Sequence, residues 1–159
     1  MVCAAIDPIR GAGLDAIVGA LREAIGVQRC TLRLEVEGDL LPVVHESIVA
    51  PARSLIGDRS VALPGQPVIE AILGGAEQVV QPDTRAASSD PAFLAMLEHY
   101  GGMGAQIVTA VRDGERLVGV ISLHHLGGAR EWSAAETGLA LATAALVARM
   151  LSEPPPARA

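Results

Sequence analysis

His124 and His125 stand side by side, and with His45, His99 and the two cysteines Cys3 and Cys30 they are the side chains best suited to metal or nucleophilic chemistry in this 159-residue chain. Adjacent residues on a strand point to opposite faces. The two histidines therefore cannot share an ion, and no HxxxH or CxxC spacing supplies further ligands. A metal site is not expected. Cys30 sits between apolar strand neighbours with nothing beside it to lower a thiol pKa, so it reads as an inert buried thiol. Ser88 and Ser89, with Asp83 and Asp90, have the composition of a loop and no histidine near them in sequence. No catalytic constellation emerges, and the chain is not expected to be an enzyme. What remains are polar residues at period-two spacing that could face a bound molecule. Arg33 could hold a carboxylate or phosphate through a bidentate pair, or sit with Glu35 on a solvated strand face. Gln106 shares a face with Val108 and Ala110, and its amide can both donate and accept. Ser122 and Val120 share the face of His124.

These residues need strands to position them, and the pattern supplies strands. Cys30–Glu37 alternates, with Cys30, Leu32, Leu34 and Val36 on one side and Thr31, Arg33, Glu35 and Glu37 on the other. Gly38-Asp39 turns it into a second strand near residues 40–47, where Pro42 marks an edge or a strand start. Residues 106–111 and 116–123 form a second hairpin across Asp113-Gly114. Leu117–Leu123 is β-rich and uncharged, the mark of a central strand covered on both faces. A short strand is expected at 77–80, and the polar residues 81–89 read as loop.

The helices are equally legible. Asp7-Pro8 opens the first, Leu14, Ile17, Val18, Leu21 and Ile25 form one stripe, and Gly26 stops it. Residues 67–73 and 91–100 are short helices, the second opened by Asp90-Pro91. Ser133 and Glu136 form a capping box at the start of a last helix over 134–151, which Pro154-Pro155-Pro156 ends. Residues 47–63 are aperiodic. Helices at both ends and two hairpins between them imply an α+β three-layer sandwich: an antiparallel sheet of five to six strands with helices on both faces.

Bulk composition excludes some functions. The net charge is −6, every basic residue is Arg, and Lys and Asn are absent, a bias of the kind a GC-rich bacterial genome imposes. No basic stripe with interleaved aromatics exists, so nucleic acid is not an expected partner. No cationic leader precedes an apolar core at the N-terminus, and 138–148, the longest uncharged apolar run, falls short of the ~20 residues of a membrane span. A cytoplasmic, non-membrane protein with reduced thiols is expected.

Three stretches in order resemble the GAF domain, specifically its phytochrome and cyanobacteriochrome branch. They are Leu41-Pro42-Val43-Val44-His45-Glu46-Ser47 with Ser54-Leu55-Ile56-Gly57, then Ala105–Val111, then Leu117–Trp132 with its His-His, Gly-Gly, Ala-Arg-Glu-Trp and Ser-x-x-Glu sequence. The resemblance implies the GAF α/β/α sandwich over 14–151, with 1–13 as an arm and helix start and 152–159 as a disordered tail. It implies a sheet cavity that Arg33, Gln106, Val108, Ser122 and His124 face. Departures narrow the ligand. Bilin-binding relatives attach chromophore through a Cys, usually followed by His; counting back from Ala105, those places hold Phe93 and Leu94. Haem-binding relatives carry a His just before the pocket-floor strand, where this chain has Gly104, with His99 displaced. The Asn-Lys-Phe-Asp-Glu pattern of cyclic-nucleotide GAF domains requires Asn and Lys. Covalent bilin, haem and metal are accordingly not expected.

The function the resemblance implies is a stand-alone sensing module that binds a polar or anionic small molecule in the cavity and signals in trans to a partner protein. Two alternatives stand beside it: a GAF-fold enzyme of the free methionine sulfoxide reductase type, against which the missing cysteine set counts, and a ligand-free dimerisation domain with a filled pocket. A homodimer through the first and last helices is expected. Leu139, Leu141 and Leu146 project in several directions from a helix uncharged between Thr137 and Ala148, and the first helix has a small-residue face at Gly13, Ala16, Ala20 and Ala24.

Overall fold

A computed structural model describes residues 8–35, 41–59 and 66–154. In chain order the elements are α1 (Pro8–Ile25), β1 (Arg29–Leu34), β2 (Val43–Ile48), α2 (Pro67–Leu73), β3 (Gln78–Gln81), α3 (Thr84–Ala87), α4 (Pro91–His99), β4 (Met103–Asp113), β5 (Arg116–Leu126) and α5 (Ala134–Ser152). The strands form one sheet in the order β2-β1-β5-β4-β3, antiparallel throughout. Two hairpins, β1–β2 and β4–β5, are joined through β1 and β5. The expected turn at Gly38-Asp39 and the Asp7 cap lie outside the described residues.

Two cores lie on opposite faces of the sheet. On one, Leu14, Val18, Leu21 and Ile25 of α1 and Ala140, Ala144 and Val147 of α5 pack on Cys30, Leu32, Ile107, Ile121 and Leu123. On the other, Ile69 and Ile72 of α2, Phe93 and Leu97 of α4, Leu55 and Tyr100 cover Val43, Val108 and Val120. The fold is the α+β three-layer sandwich that the sequence implies.

Local rules explain most boundaries. Gly26, at φ 76°, closes α1, its N–H donating to the Arg22 carbonyl at 2.8 Å. Arg130 caps the same helix end, Nη2 donating to the Ile25 carbonyl at 2.8 Å, where a cation also complements the helix dipole. The β4–β5 loop is Gly114-Glu115, with Asp113 paired to Arg116 and Gly114 at φ 61°. A glycine with positive φ at the first loop position suits a type II′ turn, so the expected Asp-Gly signal marks the hairpin one residue early. Gly104 sits at a bulge at the start of β4. A Cβ there would lie 2.2 Å from the carbonyl oxygens of both Gly127 and Gly128, so only glycine lets the loop after β5 tuck in.

Four expectations need correction. The residues at 84–87 form a helical turn, because the Asp83 carboxylate accepts from Arg85 N and Ala86 N. The capping box is half formed: Ser133 Oγ accepts from Glu136 N at 3.1 Å, while the Glu136 carboxylate turns to Arg130 Nη2 at 3.3 Å. β1 is buried along its whole length, polar face included, because the second helical layer covers the side that alternation assigns to solvent. Finally, α5 runs 19 residues at a mean hydropathy of 1.3, long and apolar enough by those measures to cross a membrane. Here it lies on the sheet, with Ala140, Ala144 and Val147 buried.

Candidate functional site

Period-two geometry sets the site. On the face away from α1 and α5, β1 presents Arg29, Thr31 and Arg33, β5 presents Val120, Ser122 and His124, and β4 presents Gln106 and Val108. The register aligns them: Arg29 and Gln106 both pair with His124, and Thr31 and Val108 both pair with Ser122. Gln66, Val68 and Ile69 of the α2 end, Met96 of α4 and Tyr100 cover this patch and leave a cavity of about 40 Å³. All five expected residues, Arg33, Gln106, Val108, Ser122 and His124, line it. Of the bulky side chains near enough to fill such a pocket, Phe93 and Met103 lie in the surrounding core and do not line the cavity, while Met96 does.

The electrostatics of the wall follow from burial. Arg33 Nη2 donates to Asp58 Oδ1 at 2.9 Å and to the Tyr100 hydroxyl at 2.6 Å, while Nη1 donates to the carbonyls of Leu41 at 3.0 Å and Asp58 at 2.9 Å. The Tyr100 hydroxyl also donates to Asp58 Oδ1 at 2.9 Å. Arg33 is thus buried and ion-paired, with Glu35 at the rim bonded to Arg116. Arg29, only 1% exposed, donates to the carbonyls of Tyr100 and Arg53, each at 2.9 Å, and lies 3.2 Å from His124 Nδ1. Desolvation pulls its pKa down, opposed by electrostatic attraction to Glu46, Tyr100 and Asp58.

A guanidinium can only donate, so Nδ1 of His124 accepts and Nε2 carries the ring proton. Burial, then the charges of Arg29 and Arg33, hold the His124 pKa well below the ordinary histidine value, against the pull of Asp58. The Tyr100 ring stacks on the imidazole at 5.5 Å and 19°. His124 is therefore a neutral, oriented N–H donor. Gln106 Nε2 donates to Gln81 Oε1 at 2.7 Å. Gln66 is 3% exposed, and its Oε1 has no hydrogen-bond partner. A buried acceptor in that state is costly, and here it belongs to a cavity wall.

Sequence reasoning missed four participants. Arg29 continues the parity of Arg33 one residue before the expected strand start, so it was findable. Asp58, Gln66 and Tyr100 reach the site from irregular or terminal positions that carry no periodic signal. Cys30 projects to the other face, into the α1 core, where burial pushes its thiol pKa up to about 12. His125 also faces away from the cavity. Among the described residues, no group of three or more His, Cys, Asp and Glu could hold a metal ion. A wider cleft of about 170 Å³ runs between α5 and β4, lined by Ala110, Leu141, Ala144, Ala145 and Ala148 together with Glu77, Thr109 and Arg112. Arg112 there is bonded to the Ile72 and Ala76 carbonyls, and the Thr109 hydroxyl accepts from Gln78 Nε2 at 3.0 Å.

Fold and cavity define an α+β sandwich with a pocket on one face of an antiparallel sheet. The GAF domain profile matches residues 11–151, and the chain belongs to the GAF domain family. Among solved structures, it resembles the cyanobacteriochrome receptor PixJ at 20% identity and a TM-score of 0.73, over 91% of this chain and 95% of that one. The blue-light-absorbing form of the Thermosynechococcus elongatus PixJ GAF domain matches at 19% identity and a TM-score of 0.72, over 95% and 92%. A far-red-absorbing dark state with bound biliverdin matches at 17% and 0.68, over 91% and 94%. At these identities the likeness establishes the fold. No curated protein sequence matches.

Proposed function

We propose that this GAF domain is a regulatory sensing module that binds a small polar molecule in the sheet-face cavity. The observation that carries the reading is the unpartnered Gln66 Oε1 in the wall of a cavity that His124 and Ser122 also line. An apolar lining of Val68, Ile69, Val108 and Val120 with a few polar groups that fix orientation is the usual make-up of a ligand site. The cavity of about 40 Å³ lies far below the roughly 300 Å³ at which drug-sized ligand pockets begin. The site therefore suits a compact guest, or one whose binding moves part of the wall. It does not suit a tetrapyrrole such as the biliverdin of the far-red relative. With Phe93 at the attachment position, co-expression with bilin-producing enzymes is expected to leave the intact mass unchanged. Thiol chemistry of the sulfoxide-reductase kind finds no support in Cys30, which lies on the far face.

The output we infer is a signal passed in trans through the outer helices. Exposed Leu139, Leu141 and Leu146 on α5, at 40%, 40% and 38%, support a homodimer there. They also support the second reading, a dimerisation domain with a vestigial pocket. Mass spectrometry of small molecules released from the purified protein, paired with thermal-shift screening, separates the two. A sensing module yields a molecule that raises Tm in the wild type and not in Val108→Phe, which fills the cavity. Equal shifts in both proteins, or no binding molecule, favour the second reading.

A further inference from the structure

The Asp58 carboxylate is held as a bound anion would be. Arg33 Nη2 and the Tyr100 hydroxyl both donate to Oδ1 at 2.9 Å, and His99 Nε2 lies 2.9 Å from Oδ2. These donors come from β1 and the end of α4, and Arg33 and Tyr100 also line the cavity. Asp58 belongs to the irregular segment between β2 and α2. In that segment Leu55 is buried, while Val49 and Ile56 are exposed at 42% and 55%. Polar bonds therefore hold much of it: Asp58 to Arg33, and the Arg53 carbonyl to Arg29.

The cavity is too small for more than a few atoms, so a larger guest must displace part of the wall. The apolar walls belong to packed strands and two helices. The 49–59 segment does not itself line the cavity; it lies behind Arg33 and Tyr100, which do, and Asp58 bonds to both. Moving Asp58 away with nothing in its place would leave Arg33 buried and unpaired, which is strongly unfavourable. A guest that brings its own carboxylate removes that penalty, because one anion replaces another at unchanged charge.

Building on the sensing reading, we propose that Asp58 is an internal stand-in for the ligand: the natural guest is a small carboxylate that takes its place on Arg33 and Tyr100 and frees the 49–59 segment. The exchange is non-covalent, and Asp58 turns outward into water. The guest's apolar body lies against Val68, Val108 and Val120, and a hydroxyl or amide N–H donates to Gln66 Oε1. Release of the segment is then the structural change that binding communicates.

The test titrates the full chain with short hydroxy-monocarboxylates and with the corresponding primary amides at constant ionic strength. Wild type is expected to bind the acids and not the amides, and trypsin cleavage after Arg53 and Arg59 is expected to speed up as the acid saturates. Asp58→Ala removes the competitor and should bind the acids about tenfold tighter or more, as when a population tax is lifted. Asp58→Asn, which keeps the shape and drops the charge, serves the same comparison if the alanine variant does not fold. Equal binding of acids and amides overturns the proposal, as does an Asp58 variant no tighter than wild type or trypsin rates the acid leaves unchanged. Amide binding alone, abolished by Val108→Phe, overturns the exchange while leaving the sensing reading intact. No binding of any small molecule to either protein removes both.

Discussion

Acidification isolates His124. The ring is buried and neutral, faced by Arg29 and Arg33 as cations, Asp58 as an anion and Tyr100 as a stacked ring. Its folded pKa lies well below the unfolded value of about 6.5. The unfolded chain therefore binds a proton that the folded chain refuses. His124 leaves stability untouched above about pH 7.5 and subtracts from it as pH falls through 6.5 toward the folded pKa. At pH 5 the unfolded state gains about RT ln(1 + 10^1.5), roughly 2 kcal/mol, provided the native ring is still neutral. With a urea m-value of about 2 kcal/mol per molar, that is a midpoint shift of about 1 M. The assay is urea unfolding followed by circular dichroism across this range, for wild type and His124→Gln. The other histidines are common to both proteins, so the difference between the two curves reports His124. Wild type should lose more stability than the variant between pH 7.5 and 5, by at most about 2 kcal/mol. Parallel curves, or an imidazolium signal from His124 at pH 6 in nitrogen-15 NMR, would refute the electrostatic account of the wall.

Phe93 is fully buried beneath the second core, and Phe93→Ala should cost about 3–5 kcal/mol in denaturant unfolding. Gly104→Ala should lower stability by roughly 2 kcal/mol or more, because the methyl would overlap two carbonyls that cannot move independently. Gly138→Ala meets nothing within 4 Å inside α5 and should instead stabilise by about 0.5–1 kcal/mol; differential scanning calorimetry reads both glycine changes. In a Cys3→Ser background, the raised pKa and burial of Cys30 should keep it unreactive to a thiol reagent at neutral pH until the protein unfolds. Sedimentation equilibrium at micromolar concentration should show a dimer that Leu139→Glu or Leu146→Glu dissociates while far-ultraviolet dichroism is preserved; a monomeric wild type would end the dimer reading.

The layers and most elements follow from sequence because their causes are local. The stripe of α1, the Pro and Asp starts of α2 and α4, the two hairpins and the alternation of β1, β4 and β5 are set by neighbours a few residues apart. Alternation also puts Arg33, Gln106, Ser122 and His124 on one face once β1 is paired with β5. Sequence alone does not decide whether that face meets water or a second layer. Arg33 has the same composition and spacing in either case, and its burial depends on α2, α4 and the 49–59 segment folding over it. Tertiary structure likewise chose its partner. Asp58 lies 25 residues away in an aperiodic stretch, and no period connects the two. The tautomer of His124 depends on Arg29 reaching Nδ1 across the strand pair. Short-range periodicity determined which side chains share a face; long-range packing decided which of them are buried, charged and already paired.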